Sequence, residues 1–220
     1  MTMARELTID FVSDVSCPWC IIGLRALEEA LARTADTVAA DIHFQPFELN
    51  PDMPAGGQNI VEHITQKYGS TPAQSAANRE MIRARAAGLG FTMAMSDQSR
   101  IYNTFDAHRL LHWAELEGHQ LALKNALFEV YFTAGQSPAD HEVLVHAAEQ
   151  AGLDGAAARE VLESGRYAEE VRDAEELWRS RGINAVPAVV IDGRYLISGG
   201  QPPDVFEQAL RQIAAQPASV

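Results

Sequence analysis

The chain has 220 residues, 47% of them hydrophobic, and a formal net charge of −13. That is enough apolar content for a full core, in one large domain or in a domain carrying an insertion. So acidic a surface repels phosphate backbones and offers anionic lipid little attraction, which argues against nucleic acid and membrane as partners. No segment is long and apolar enough to span a bilayer. Met1–Asp10 reads as a charged lead-in running into a strand, without the apolar core and cleavage site of a secretory signal. A cytoplasmic protein is expected.

Leu7–Ser13 reads as a strand, its alternation broken at Val12. A helix follows, with Pro18 in its first turn, where a missing N–H is harmless, and with Ile22, Leu24, Leu27 and Leu31 along its length. Ile42–Phe47 reads as a second strand, broken by Pro46 and Pro51. From about Gly56 to Gly165 the pattern turns helical, punctuated by glycine and proline. Helices are expected from Thr71-Pro72 to Gly88, over Asn103–Glu117, over Gln120–Ala134, over Asp140–Ala151 and over Asp154–Ser164. A further helix over Ala168–Arg181 ends at Gly182. Ala188–Ile191 and Arg194–Ile197 then flank Asp192-Gly193, a strong hairpin signal. Gly199-Gly200 turns the chain into a last helix from Pro203, and Gln216–Val220 reads as a loose tail. The order implies an α/β fold, a mixed sheet flanked by helices with an all-helical insertion. The expected division is a discontinuous domain over 1–55 and 166–220, with the insertion over 56–165.

The chain has only two cysteines, in Cys17-Pro18-Trp19-Cys20 between the first strand and its helix. At a helix N-terminus, backbone N–H groups and the helix dipole favour a thiolate, the form that attacks disulfides. Cys20, one turn on, can then attack the mixed disulfide and release the substrate. The pair could instead be inert buried cysteines or half of a zinc site, but no second Cys-x-x-Cys completes a set of four ligands. Asp14 and Glu48, expected near strand ends, are candidates for proton transfer with Cys20, as is His108; the two carboxylates could instead be solvated loop groups, and the histidine a packing or surface group. His108 and His112 stand four apart on one helix, but Arg109 occupies the place where a zinc-protease helix needs glutamate, so no metal is expected. Gly88-Leu89-Gly90 is not a phosphate loop. Arg79, Arg83 and Arg85 read as a solvated helix face.

Cys-x-x-Cys after the first strand, with Val186-Pro187 before the hairpin, resembles the thioredoxin superfamily. The intervening helical block narrows the resemblance to the DsbA-like branch. Pro46-Phe47-Glu48-Leu49-Asn50-Pro51, Asn103-Thr104-Phe105-Asp106-Ala107-His108-Arg109-Leu110 and Ser198-Gly199-Gly200-Gln201-Pro202-Pro203 resemble its cytoplasmic FrnE-like members. The resemblance implies a thioredoxin fold, a thiol–disulfide oxidoreductase or isomerase with Cys17 as nucleophile and Cys20 as resolving thiol, and a cis Pro187 against Cys17. Pro18, Trp19, Val186 and Pro187 would shape the site, with backbone near Val186 pairing to an extended substrate. The implied partners are a disulfide-containing protein or small molecule and a thiol reductant. No cofactor is required, although glutathione could serve as reductant or co-substrate.

Two other readings stand beside this one. The same fold resembles the hydroxychromene-carboxylate isomerases and kappa-class glutathione transferases, where a serine usually stands at the position of Cys17. A non-enzymatic holdase could use an apolar groove lined by Trp113, Phe128, Tyr131 and Phe132, unless their helical spacing marks simple core. Trp19 brings no cation of the kind the strongly oxidising periplasmic enzymes place between their cysteines. Redox titration should therefore give a potential on the order of −200 to −250 mV, between glutaredoxins and thioredoxin; a value near −120 mV would overturn this.

Overall fold

The computed structural model describes residues 4–54 and 56–216; Met1–Met3 of the lead-in and the tail beyond Gln216 lie outside them. Strand β1 (Arg5–Ser13) lies inside a four-stranded sheet, parallel to β2 (Val38–Pro46) and antiparallel to β5 (Ala188–Ile191). β6 (Tyr195–Ser198) closes the order β2-β1-β5-β6. β2 begins four residues before the expected Ile42. Val38 already pairs with Arg5, so the register of the parallel partner, rather than side-chain alternation, sets where the strand starts. Pro46 ends the strand rather than breaking it. The β5–β6 turn takes positive φ at both Asp192 (51°) and Gly193 (64°), as the expected two-residue hairpin turn requires.

Helix α1 (Pro18–Arg33) links the two parallel strands and packs beside the last helix, which runs over Pro203–Ala214. Leu7, Ile9 and Phe11 face these helices in one core, with Val189, Ile191 and Phe206. Val12 faces the other side, with Phe47, Trp178, Ala188 and Val190. The break in alternation at Val12 follows: the end of β1 is buried on both faces, as parallel strands commonly are.

Between β2 and β5 come α2 (Ile60–Tyr68), α3 (Pro72–Gly88), α4 (Phe105–Leu116), α5 (Gln120–Phe128), α6 (His141–Gln150), α7 (Gly155–Ser164) and α8 (Ala168–Ser180); the Pro203–Ala214 helix is α9. α2 has no counterpart among the expected helices. It is capped by Asn59, whose side chain accepts from Val61 and Glu62 N–H at 2.9 and 3.3 Å, and ends at left-handed Gly69. α3 begins where expected, because Thr71 and Gln74 form a reciprocal capping box. Two strand residues on each side, β3 (Gln58–Asn59) and β4 (Arg100–Ile101), tie the ends of this segment together.

The helix expected over Gln120–Ala134 is α-helical only to Phe128. Glu129–Thr133 widens into a π-helical turn, closed by Ala134 N–H to Glu129 O at 2.9 Å. The wider turn buries three consecutive side chains, Val130, Tyr131 and Phe132, which a single α-helical stripe would not. Phe128, Tyr131 and Phe132 join the sheet core, and Trp113 is buried among α4–α7. Those four aromatics therefore fill interiors and line no open groove.

Gly23 and Gly200 allow close approaches at the start of α1. A Cβ on Gly23 would lie 3.2 Å from Pro187 Cγ, and one on Gly200 would lie 2.9 Å from the Trp19 carbonyl oxygen. The β5 and β6 loops can thus press directly on the start of α1. Phe11, fully buried at the middle of the sheet, stacks on Phe44 at 5.7 Å. Phe11→Ala should lower stability by about 3–5 kcal/mol in denaturant unfolding; a loss under about 1 kcal/mol would show that this core collapses around the gap.

Candidate functional site

Cys17 is the N-cap of α1, with extended backbone (φ −88°, ψ 114°), and Pro18 starts the helix. The sulfur thus sits at the positive end of the helix dipole. The turn that carries it is closed by Cys17 N–H to Asp14 O (3.2 Å) and Cys20 N–H to Cys17 O (3.0 Å). Both cysteines are free thiols; Cys17 is 3% exposed and Cys20 fully buried. The Val186–Pro187 peptide is cis, and Cys17 Sγ donates to Val186 O at 3.7 Å. Burial pushes the Cys20 thiol well above the ordinary cysteine range, and the adjacent Cys17 adds to that push. Cys20 is therefore held as a neutral thiol, beneath a Cys17 sulfur that lies nearer the surface.

Pro18 and Trp19 are half-buried at the rim. The Arg85 guanidinium lies over the Trp19 ring at 5.4 Å, so a cation does approach this rim, from α3 rather than from the Cys-x-x-Cys loop. The three α3 arginines do not share one solvated face. Arg79 is buried, bonding Ser75 Oγ at 2.9 Å and pairing with Asp97, while Arg83 pairs with Glu80. Arg79 alone leaves that face; Arg83 and Arg85 stay exposed. Tyr68, at the exposed end of α2, is close enough for the Cys17 charge to help push its phenol up, after partial burial.

Asp14, Glu48 and His108 come together, all buried. Asp14 Oδ1 accepts Ser16 N–H at 3.2 Å and Oδ2 accepts Leu49 N–H at 2.8 Å. His108 Nε2 stands 3.7 Å from Asp14 Oδ1, an ion-pair separation without a hydrogen bond. Burial alone would raise the Asp14 carboxyl; His108 and the two N–H groups outweigh it and hold the group below its usual value of 3.8. Burial raises Glu48, against the pull of Arg172. Glu48 also accepts from Asn103 at 3.3 Å, and its own N–H donates to buried Glu175 at 2.9 Å. Arg172 binds both Glu48 and Glu175, the latter at 2.8 Å. The two histidines of α4 diverge: His112 stacks on Tyr167 at 5.0 Å.

Sequence reasoning missed four of these groups, Tyr68, Arg172, Glu175 and Lys124. Lys124, on α5, is fully buried, with its Nζ 5.0 Å from the Phe128 ring centre and 5.6 Å from that of Phe44. A signal existed: Lys124 interrupts the apolar stretch Leu121–Phe128, and only it and Lys67 are lysines among the 17 lysine and arginine residues. Lys67 donates to Leu49 O (2.8 Å) and Asn50 Oδ1 (2.7 Å), beside an open pocket of about 400 Å³ along the Leu49–Pro54 loop.

This sheet, its inserted helices and the thiol pair at the head of α1 define an oxidoreductase of the thioredoxin fold. Residues 8–211 match the DSBA-like thioredoxin domain, and the chain belongs to that family. It is 30% identical over 205 residues to the uncharacterized protein YwbO of Bacillus subtilis, covering 92% of this chain and 94% of that one. The crystal structure of a probable DsbA oxidoreductase, SCO1869 of Streptomyces coelicolor, superposes with a TM-score of 0.90 at 35% identity, covering 97% of this chain and 92% of that one. A 2-hydroxychromene-2-carboxylate isomerase shares the fold, with a TM-score of 0.71 at 16% identity over 94% of this chain and 95% of its own.

Because folding holds the Asp14 carboxyl below 3.8, its contribution to stability is complete above that pH and is lost as pH falls through the lower folded value. Asp14→Asn should therefore destabilise by about 1.5–3 kcal/mol near neutral pH. The gap between variant and parent should narrow in acid; a gap independent of pH in thermal melts would contradict the assignment.

Proposed function

We propose that the protein is a dithiol oxidoreductase of the cytoplasm, in the FrnE-like branch, acting on disulfides of proteins or small molecules. The observation that carries this reading is the asymmetry of the two sulfurs: Cys17 at the head of α1 against Val186, Cys20 sealed beneath it. The Cys17 thiolate attacks one sulfur of the substrate disulfide; a mixed disulfide forms and the first substrate thiolate departs. Cys20 then attacks Cys17 Sγ, the internal disulfide closes, and the second substrate thiol leaves. A thiol reductant returns the pair to dithiol, and in a reducing compartment flow toward substrate reduction is favoured.

The backbone at Val186 and the rim of Trp19, Pro18 and Tyr68 offer an extended substrate a place to lie. The buried Asp14–His108–Glu48 cluster holds the loops on either side of the thiols. A glutathione-polarising isomerase has no use for a second sulfur at Cys20, which supports dithiol chemistry over that alternative.

Equilibration in graded glutathione buffers, followed by alkylation and mass measurement, should show one reversible two-electron transition. Cys17→Ser should lose turnover completely, and Cys20→Ser should accumulate a mixed disulfide with substrate. Turnover retained by Cys17→Ser, or no reversible disulfide in the parent protein, would end the dithiol reading.

A further inference from the structure

Arg85 stands at the rim of the dithiol with no acid to pair with. Its two neighbours on α3 are both satisfied: Arg79 reaches Ser75 and Asp97, and Arg83 reaches Glu80 and the Met95 carbonyl. Arg85 is exposed and has no hydrogen bond or ion pair among the described residues; the interaction it does make is with the Trp19 ring, 5.4 Å from Cζ to the ring centre. Three and four residues away on the helix stand Met81, Ile82, Gly88 and Leu89, none of them a carboxylate that could pair with it. The chain has 30 acidic residues against 17 lysines and arginines, so a basic side chain left without an acid calls for a reason.

Its seat supplies one. Trp19 is two residues from Cys17 and half-buried. Its ring lies hard against the turn after β6: a Cβ on Gly200 would meet Trp19 Cε3 at 3.1 Å. The ring is thus a fixed platform, and an arginine resting on it gives up little further freedom when it takes up a ligand. Its N–H donors remain available, in the planar fork that matches a carboxylate. Other cations near this rim are occupied. Lys67 donates to Leu49 O and Asn50 Oδ1, and Arg25 of α1 pairs with Glu28 at 2.8 Å. The local balance of charge also departs from that of the chain. Residues 56–104 carry Lys67, Arg79, Arg83, Arg85 and Arg100 against Glu62, Glu80 and Asp97 alone. Repulsion from acids elsewhere on the surface is screened beyond about 8–10 Å at physiological ionic strength, whereas Arg85 acts in contact.

We propose that Arg85, seated on Trp19, is a specificity-determining residue: it receives a carboxylate side chain beside the reacting cysteine of the substrate, so that the protein selects disulfides in acidic peptide segments. This rests on the dithiol reading above. An extended peptide along Val186 brings its sulfur to Cys17, and each neighbouring residue lies about 3.3 Å further along the strand. A glutamate one or two positions from the substrate cysteine therefore comes to the rim that Trp19 and Arg85 form. Arg85 takes no part in the exchange of bonds. The Cys17 thiolate attacks the substrate sulfur, the new S–S bond forms, and the old one breaks with both electrons on the departing sulfur. The contact with Arg85 is present before and during that step, so it acts on the concentration of substrate needed more than on the maximal rate.

The test uses two blocked peptides, alike except that glutamates flank the cysteine in one and glutamines in the other, each with a thiopyridyl group on its sulfur. In a Cys20→Ser background Cys17 attacks the peptide sulfur and expels thiopyridone, whose absorbance follows the single turnover; the mass of the adduct confirms which sulfur was attacked. With Arg85 in place, the glutamate peptide should react about fivefold more efficiently at low salt, mainly through a lower half-saturating concentration. The preference should shrink as ionic strength rises. Arg85→Gln should bring the ratio of the two peptides to about one, Arg85→Glu should reverse it, and Arg85→Lys should keep part of it. Because both peptides are compared on the same protein, a change in stability or active fraction cancels from the ratio. Arg181, which lies over Trp178 at 4.9 Å on the other face of the sheet, is the control: Arg181→Gln removes the same charge and should leave the ratio as it was. No preference with Arg85 in place, a preference indifferent to salt, a ratio unchanged in Arg85→Gln, or an equal fall in Arg181→Gln would each overturn the proposal. Expulsion of thiopyridone from neither peptide would defeat the dithiol reading and the proposal with it, whereas equal expulsion from both defeats the proposal alone.

Discussion

The buried Asp14 carboxylate is the constraint on which the site depends. An ionised carboxylate removed from water must have its oxygens satisfied, and here each is met by the backbone N–H of a different segment. One N–H comes from Ser16, in the turn that carries Cys17, and the other from Leu49, beside Glu48. His108, from an inserted helix, faces the same oxygen as Ser16. A single charge thereby joins the end of β1, the head of α1, the loop after β2 and α4. Loss of any of these contacts would leave the charge exposed to a low-dielectric interior, so the segments are held in place together.

A second ionic cluster, which shares Glu48 with the first, holds the opposite flank. Arg172 of α8 reaches Glu48 and Glu175 and lies 3.7 Å from the centre of the Phe105 ring. Through it α8, which covers the far face of the sheet, is tied to the start of α4. The insertion is therefore more than an appendage on a loop. α4–α7 build an apolar core of their own, and the end of α5 with its π turn fills the core that contains the two cysteines. Lys124 enters the neighbourhood of the thiols because α5 spans both.

Much of this was legible from the residues. Pro18 following Cys17 marked where α1 begins, Asp192-Gly193 marked the hairpin, and Thr71-Pro72 marked α3, because each is a local stereochemical or capping preference that needs no distant partner. α2 was not singled out: its cap, Asn59, lies in a stretch with few apolar residues, and the helix buries Ile60 alone. The early start of β2 and the π turn after Phe128 answer to partners across the structure, β1 in one case and the sheet core in the other.

The setting of Cys17 was readable along the chain: a strand, a Cys-x-x-Cys and a helix N-terminus are contiguous, and the helix dipole acts over a single turn. Only the tertiary structure decided what surrounds it. Asp14, Glu48, His108, Lys124 and Glu175 are far apart along the chain, and each alone would sit comfortably in water. Their burial, the proximity of His108 to Asp14, and a Lys124 amine without a hydrogen-bond partner among the described residues arise only when β1, the Leu49 loop, α4, α5 and α8 close on one another. Desolvation and charge pairing depend on separation in space, and separation in space is what a one-dimensional pattern of residue types does not contain.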